Sequence, residues 1–163
     1  MKKTTMQKYA RLIARKGINV QKNQEVIVNA SLDQPEFVKM VVEECYRAGA
    51  KKVTVEWSYQ PLTKLNYRYR SMKTLSTIEK WEEEKLAHRC DVLPAMIYID
   101  SDDPDGLKGI DQNKVSKASQ ARYPVLKPYI DKMENKYQWC IAAVPGEAWA
   151  KKVFPGERVG KAV

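Results

Sequence analysis

The sequence is poor in the residues and motifs from which catalytic sites are usually built. It has a single histidine, His88, no CxxC pair, and no GxGxxG or GxxxxGK(S/T) motif. One imidazole without paired cysteines excludes zinc sites made from several histidines or from cysteine pairs. The missing glycine motifs exclude the usual phosphate-binding turns of nucleotide and dinucleotide sites. We therefore predict no catalytic residue and no metal ligand in this chain.

Long apolar runs are also missing. No run approaches the ~20 residues that a membrane-spanning helix needs, and the basic N-terminus lacks the continuous apolar core of a secretory signal. These features favour a protein that is not bound to a membrane.

The cysteines are few and widely spaced, at Cys45, Cys90 and Cys140. Their odd number and apolar neighbours favour reduced core thiols, and hence a cytoplasmic protein. Cys90 is too close to His88 along a helix for the two side chains to share a face, so a Cys–His nucleophilic pair is not supported. We interpret His88 as a helix-surface residue.

The 163 residues, 44% hydrophobic and 30% charged, suit one soluble globular domain spanning residues 1–163. Strand-like and helix-like patterns alternate along them. Four short β-rich runs are predicted as strands: Glu25–Ala30, Lys52–Trp57, Ala95–Ile99 and Trp139–Val144. Alternation with helical crossovers predicts an α/β fold, a three-layer open sheet that is mostly parallel with helices on both faces.

Helices are predicted between and after these strands: one over about Pro35–Ala48, two within Leu62–Arg89, one within Asp111–Lys132 and one from Glu147. The first has the clearest boundary signals. Asp33 and Glu36 have the spacing of a capping pair, Pro35 suits the first turn and Gly49 suits the exit.

The net charge of +9 is concentrated at the N-terminus. Seven basic residues precede the first acid, Glu25: Lys2, Lys3, Lys8, Arg11, Arg15, Lys16 and Lys22. Helical periodicity places Lys8, Arg11 and Arg15 on one face, opposite Met6, Tyr9 and Ile13. Such a face suits nucleic-acid phosphates or an anionic surface. We favour a docked helix with a solvated outer face, since no nucleic-acid-binding motif accompanies it.

Acidic residues follow the predicted strands. In an open parallel sheet, ligands bind at the carboxyl ends of the strands, where Glu56, Asp100, Asp102 and Asp103 form a possible acidic rim facing a cleft. Such a rim binds a hard cation or a substrate's amino group. The favoured alternative is that these residues serve as turn and helix-capping residues.

The run DSDDPDG from Asp100 resembles a calcium-binding loop only superficially. Its fifth position is Pro104 instead of an oxygen ligand, and no glutamate closes the loop at Asp111. A calcium site of this type is therefore not predicted.

Four segments together resemble one family. They are KYARLIARKGINVQKNQEVIV (Lys8–Val28), AGAKKVTVEWSYQPLTKLNY (Ala48–Tyr67), SDDPDGLKGID (Ser101–Asp111) and WCIAAVPGEAWAKKVFP (Trp139–Pro155). In this order and spacing they are similar to the N-terminal domain of the aminopeptidase T, aminopeptidase S and PepS family of metalloaminopeptidases. Leu75–Pro94 departs from the pattern, and its role stays open.

The resemblance implies a cytoplasmic, homodimeric, two-domain exopeptidase that removes N-terminal residues from peptides with two divalent metal ions (zinc, cobalt or magnesium). The family's metal ligands belong to its C-terminal domain, and no position in Met1–Val163 matches them. We therefore expect an N-terminal domain, truncated before the catalytic domain and inactive alone. The alternatives are a stand-alone small-ligand or metal-binding α/β module and a basic nucleic-acid-binding domain.

Overall fold

The computed structural model describes residues 2–144 and 146–158. In chain order these form α1 (Lys3–Leu12), a π-helical turn (Ile13–Gly17), β1 (Glu25–Ser31), α2 (Pro35–Arg47), β2 (Lys52–Ser58), α3 (Gln60–Tyr69), α4 (Met72–Ser76), α5 (Lys80–Val92), β3 (Ala95–Asp100), α6 (Gln112–Met133), β4 (Trp139–Ala143) and α7 (Glu147–Val153). All the predicted strands are confirmed, each within one residue of its expected ends. None of the helices in the described part of the chain is long and apolar enough to cross a membrane.

The chain divides into two compact units. Of the described residues, unit 1 contains 2–60, 94–106, 138–144 and 146–158, and unit 2 contains 61–93 and 107–137. Unit 1 carries the sheet, and unit 2 is helical.

The sheet of unit 1 has the strand order β2-β1-β3-β4, and all its pairings are parallel. Val28 of β1 lies beside Val55 of β2 and Ile97 of β3, and Ile97 lies beside Cys140 of β4. Parallel neighbours need crossover connections, which helical segments usually supply. The predicted α/β class, with an open parallel sheet flanked by helices, is confirmed.

The core of unit 1 lies on one face of this sheet. Val28 and Ile97 are fully buried there, together with Phe37 and Val41 of α2. The ring of Tyr9 from α1 stacks on Phe37 with centroids 5.6 Å apart. Burying each large apolar side chain contributes about 1.5–3 kcal/mol, so this face accounts for much of the stability of unit 1.

The N-terminal helix docks through its last turns. Ala10, Ile13 and Ala14 are buried, and the turn after α1 is π-helical, with Ile18 N–H donating to the carbonyl of Ile13 at 3.0 Å. The extra residue in this turn brings Ile18 into the core as well. The predicted docked helix is confirmed.

The boundaries of α2 match the sequence signals in part. Pro35 occupies the first turn, and Gly49 follows the helix with φ of +107°, a conformation that favours glycine. The capping pair is wrong, because the N-cap residue is Gln34 and makes no side-chain capping bond. Asp33 instead accepts a hydrogen bond from the Ser101 hydroxyl at 2.6 Å.

Unit 2 contains one more helix than expected between Leu62 and Arg89, where α3, α4 and α5 replace the two predicted helices. Two N-terminal caps create the extra boundaries. Ser71 accepts from the Thr74 N–H at 3.1 Å at the start of α4, and Glu79 forms a capping box with Glu82 at the start of α5. The single long helix predicted within Asp111–Lys132 is confirmed as α6.

Candidate functional site

A cavity of about 380 Å³ lies at the carboxyl ends of β1, β2 and β3 in unit 1. We call it the acidic cavity. Its lining residues are Asn29, Ala30, Ser31, Glu56, Trp57, Ser58, Tyr98, Ile99, Asp100 and Asp102. Three members of the predicted acidic rim, Glu56, Asp100 and Asp102, therefore meet at one site. Among the residues that the structure describes, the lining contains no lysine, arginine or histidine.

Strand register brings these polar side chains together. Asn29 lies beside Glu56 on β2 and beside Tyr98 on β3, and Ser31 lies beside Ser58. Successive side chains of a strand point to opposite faces, so Asn29 and Ser31 share the face opposite the buried Val28 and Ala30. Polar residues at alternate positions thus line the cavity together with Ala30, Trp57 and Ile99, while Val28 lies in the core.

A chain of hydrogen bonds runs along the edge of the acidic cavity. The Ser31 hydroxyl, on a residue only 8% exposed, lies 3.0 Å from the Ser58 hydroxyl and donates to the Asp102 carboxylate. A hydroxyl has one proton to donate. Since Ser31 gives its proton to Asp102, Ser58 is the donor to Ser31, and its proton is shared with the more distant Ala30 carbonyl at 3.4 Å. The chain Ser58–Ser31–Asp102 fixes the orientation of the carboxylate.

Asp103, the fourth predicted rim residue, does not line the acidic cavity. Its carboxylate accepts from the Asp105 N–H at 2.9 Å, and its backbone is held by the Gln60 side-chain amide. Gln60 Oε1 accepts from the Asp103 N–H at 3.0 Å, and Gln60 Nε2 donates to the Asp103 carbonyl at 3.1 Å. The turn-forming interpretation holds for Asp103, because its polar groups organise the loop that follows β3.

Sequence reasoning missed the part played by Gln60 and Tyr98. Gln60 begins α3 and reaches the loop after β3, a long-range contact that no local pattern signals. Tyr98 lies in the middle of β3, which the sequence predicts only as a β-rich strand. Its alternation with Ile97 and Ile99 is the signal that places it on the cavity face.

The histidine and the cysteines considered in the sequence analysis are not among the residues that line the acidic cavity. His88 is exposed on α5, as expected, and the three cysteines are free thiols. Burial, with a smaller effect of Glu44, raises the pKa of Cys45 to about 12. Burial also raises the pKa of Cys140. Both shifts oppose thiolate formation, so neither thiol has the character of a nucleophile.

The described side chains do not converge into a metal site. Within residues 2–144 and 146–158, no group of three or more histidine, cysteine, aspartate or glutamate side chains is arranged to hold a metal ion. A two-ion centre needs several such ligands converging around two closely spaced ions. The residues of this chain that the structure describes do not fit that group.

The acidic cavity nevertheless attracts positive charge. Three carboxylates line it, and the other lining residues in the described part of the chain are polar or apolar but not basic. Unit charges 4 Å apart interact by about 1 kcal/mol in water and by about 4 kcal/mol at the effective dielectric of a protein surface. An ammonium group entering the cavity is therefore stabilised, and an anion is repelled.

The basic face of the N-terminal helix is solvated, as expected. Lys8, Arg11 and Arg15 are exposed. Arg15 also donates to the Arg47 carbonyl at 3.3 Å and lies 3.9 Å from a Glu44 carboxylate oxygen, which ties this face to α2. Ion pairs at the surface contribute about 0–1 kcal/mol, and here the Arg15 side chain is 41% exposed and that of Glu44 is 12% exposed.

Comparisons with known proteins agree with the family resemblance. The family model described as thermophilic metalloprotease (M29) matches residues 2–163. Aminopeptidase AmpS of Bacillus subtilis is 35% identical over 156 residues, which are 95% of this chain and 38% of that protein. Aminopeptidase T of Thermus thermophilus is 31% identical over 155 residues, which are 94% of this chain and 38% of that protein.

A solved structure shows the same fold. Wild-type AmpT from Thermus thermophilus superimposes with a TM-score of 0.84 and 30% sequence identity, covering 98% of this chain and 41% of that one. The chain thus spans about two fifths of the length of the relatives it matches. Because the family model matches nearly the whole chain, this protein belongs to the M29 family of thermophilic metalloproteases.

Proposed function

We propose that this chain is the N-terminal, non-catalytic part of a metalloaminopeptidase that removes N-terminal residues from peptides. The observation that carries the proposal is the unequal coverage of the matches. The chain aligns over 95% of its own length with only 38% of aminopeptidase AmpS. With aminopeptidase T of Thermus thermophilus, the corresponding shares are 94% and 38%. The proposed whole protein is a cytoplasmic homodimer whose remaining part contains the catalytic domain.

The ligand inventory supports a catalytic centre outside this chain. Two divalent ions, spaced by about 3.5–4 Å and clamping an attacking water and a leaving amine, need several carboxylates and imidazoles. Here the only histidine is exposed on a helix. The proposed ions, zinc, cobalt or magnesium, are therefore assigned to the other part of the protein, and no catalytic step is assigned to these residues.

The contribution proposed for this chain is to shape and charge the cleft that admits a free N-terminus. The acidic cavity supports this role, since Glu56, Asp100 and Asp102 line it together. The protonated amine of a peptide substrate is attracted by these carboxylates. A peptide with a blocked N-terminus lacks that charge and loses the attraction.

The first experiment measures the activity of the purified 163-residue chain. Hydrolysis of leucine anilide is followed with added cobalt, zinc or magnesium, and aminopeptidase T of Thermus thermophilus is the positive control. We expect no turnover by this chain. Hydrolysis that rises in proportion to chain concentration and disappears with a chelator would contradict the proposal.

Isothermal titration of the same chain with zinc and cobalt separates the proposal from a stand-alone metal-binding module. The acidic cavity is the feature that favours the module. We expect weak, non-stoichiometric uptake, because the described residues contain no three-ligand group. Tight binding of one or two ions per chain would instead support the module.

The role of the acidic cavity is tested in a longer protein that joins this chain to a catalytic domain of the family. Glu56→Gln and Asp102→Asn each remove one carboxylate charge while preserving shape. We expect each to lower kcat/KM about fivefold or more for peptides with a free amine, corresponding to about 1 kcal/mol per charge. Glu36→Gln, at an exposed position of α2, is the matched control. Unchanged kcat/KM in both cavity variants would remove this role.

A further inference from the structure

Unit 2 contains a cavity of the opposite charge. About 220 Å³ in volume, it lies between α3 and the start of α6 and is lined by Lys64, Tyr67, Arg68, Gly109, Ile110, Asp111 and Lys114. We call it the basic cavity. Three cationic side chains and one carboxylate line it, which leaves an excess of positive charge.

Lys114 is held in place by the C-terminal end of α3 and the residue that follows it. Its ammonium group donates to the Tyr67 carbonyl at 2.6 Å and to the Arg70 carbonyl at 2.8 Å. An ammonium group has three donors, so one remains for another acceptor. The two bonds immobilise a side chain that would otherwise lose considerable entropy on ligand binding.

Lys64 and Arg68 are spaced one helical turn apart on α3, so that both reach the same cavity. Within the described residues neither forms an ion pair. Their charges are thus not compensated locally. Bringing two like charges to one cavity is unfavourable unless an anion accompanies them.

The one carboxylate that lines the basic cavity, among the residues that the structure describes, already has hydrogen-bond donors. Asp111 is the N-cap residue of α6, and its Oδ1 accepts from the N–H groups of Asn113 at 2.9 Å and Lys114 at 3.2 Å. A carboxylate in this position interacts with the positive end of the helix dipole. The Asp111 carboxylate therefore does not neutralise Lys64, Arg68 and Lys114 in the way that a bound anion would.

We propose that the basic cavity is a binding site for a small oxyanion, either a carboxylate or a phosphate. Arg68 supplies a planar fork of donors that matches both groups, and the two lysines supply compact charges. The cavity volume admits a ligand the size of several water molecules, each of which occupies about 30 Å³. The site is independent of the acidic cavity and of the proposed peptidase function.

The experiment titrates the ¹⁵N-labelled 163-residue chain with sodium phosphate and, separately, with sodium acetate, keeping ionic strength constant with sodium chloride. Saturable shifts are expected at the amides of Gly109, Ile110 and Lys114. The stronger of the two anions identifies the ligand class. Shifts that never saturate, or that spread evenly over basic residues, would show ionic screening and overturn the proposal.

Variants test which side chains bind the anion. The double variant Lys64→Gln and Arg68→Gln is expected to weaken binding at least tenfold, since each lost charge changes affinity by roughly fivefold or more. Lys73→Gln with Lys117→Gln removes the same charge from exposed positions of unit 2 outside the lining and should leave affinity unchanged.

Arg68→Lys retains the charge but removes the fork, and is expected to show an intermediate affinity if the anion is held by paired donors. This variant also keeps the test valid if the double variant misfolds, because a conservative change on an exposed helix face preserves the fold. Equal affinity in the double variant, its control and the parent chain would refute the site.

Discussion

Gly106 offers a sharp test of how the loop after β3 is built. A Cβ atom at this position would overlap Gln60 Oε1 and would lie 2.6 Å from Gln60 Cδ and 2.9 Å from Gln60 Nε2. The amide of Gln60 is the group that holds both backbone groups of Asp103. Gly106→Ala therefore displaces this amide, and both hydrogen bonds to Asp103 are lost with it.

The expected cost follows from those two bonds. Each contributes about 1 kcal/mol net, so Gly106→Ala should lower the free energy of unfolding by about 2 kcal/mol. For a chain of this length that corresponds to a fall in Tm of about 4–8 °C. Urea denaturation followed by circular dichroism measures the loss as a shift of the midpoint at constant m-value.

A double-mutant cycle separates this mechanism from a general effect of alanine. Gln60→Ala removes the same two hydrogen bonds and also the side chain that the added Cβ would overlap. In that background Gly106→Ala should therefore leave the free energy of unfolding almost unchanged. Gly109→Ala is the control, because its φ of +84° strains any side chain while no atom lies within 4 Å of the added Cβ. Its cost should not depend on Gln60. Additive losses for Gly106→Ala and Gln60→Ala would refute the reasoning.

Two further predictions concern Cys45 and Lys114. Since the pKa of Cys45 is raised from 9.0 to about 12, the unfolded thiol loses its proton first and stability falls as pH rises through that interval. Cys45→Ala should reduce the slope of the free energy of unfolding by about 1 kcal/mol per pH unit between pH 9 and 10.5, measured by urea denaturation, and an unchanged slope would contradict the shift. Lys114→Met should cost about 1–3 kcal/mol by the same assay, because the carbonyls of Tyr67 and Arg70 lose their donor. Lys117→Met, exposed on the same helix, should cost less than about 0.5 kcal/mol, and equal losses would exclude the anchoring role.

The strands were the most predictable part of the fold, because apolar β-rich runs bounded by polar residues are a local signal. β1 and β3 are such runs, and burial of Val28 and Ile97 shows why they are apolar. Helix boundaries were less predictable. The capping spacing at Asp33 and Glu36 was a true local pattern, but Ser101 competes for Asp33 from a distant part of the chain.

The acidic cavity could be predicted in outline from one rule about parallel sheets. Glu56, Asp100 and Asp102 follow strands that end at the same edge, and the structure places all three in one lining. Asp103 comes one residue later and turns instead toward Asp105 and Gln60. A shift of one position changes which groups a loop residue meets, and that depends on contacts far away in sequence.

The basic cavity shows the limit of sequence reasoning more clearly. Lys64 and Arg68 have ordinary helical spacing, and Lys114 sits inside a helix that begins well beyond α3 in the chain. Nothing local distinguishes these cations from the many other basic residues of a chain with net charge +9. These three cations differ from the others because they line one cavity. Two carbonyls hold the Lys114 ammonium group, and Lys64 and Arg68 have no acidic partner among the described residues. An excess of basic residues creates an anion-binding site only where the fold brings several of them to one cavity and keeps acidic side chains from pairing with them.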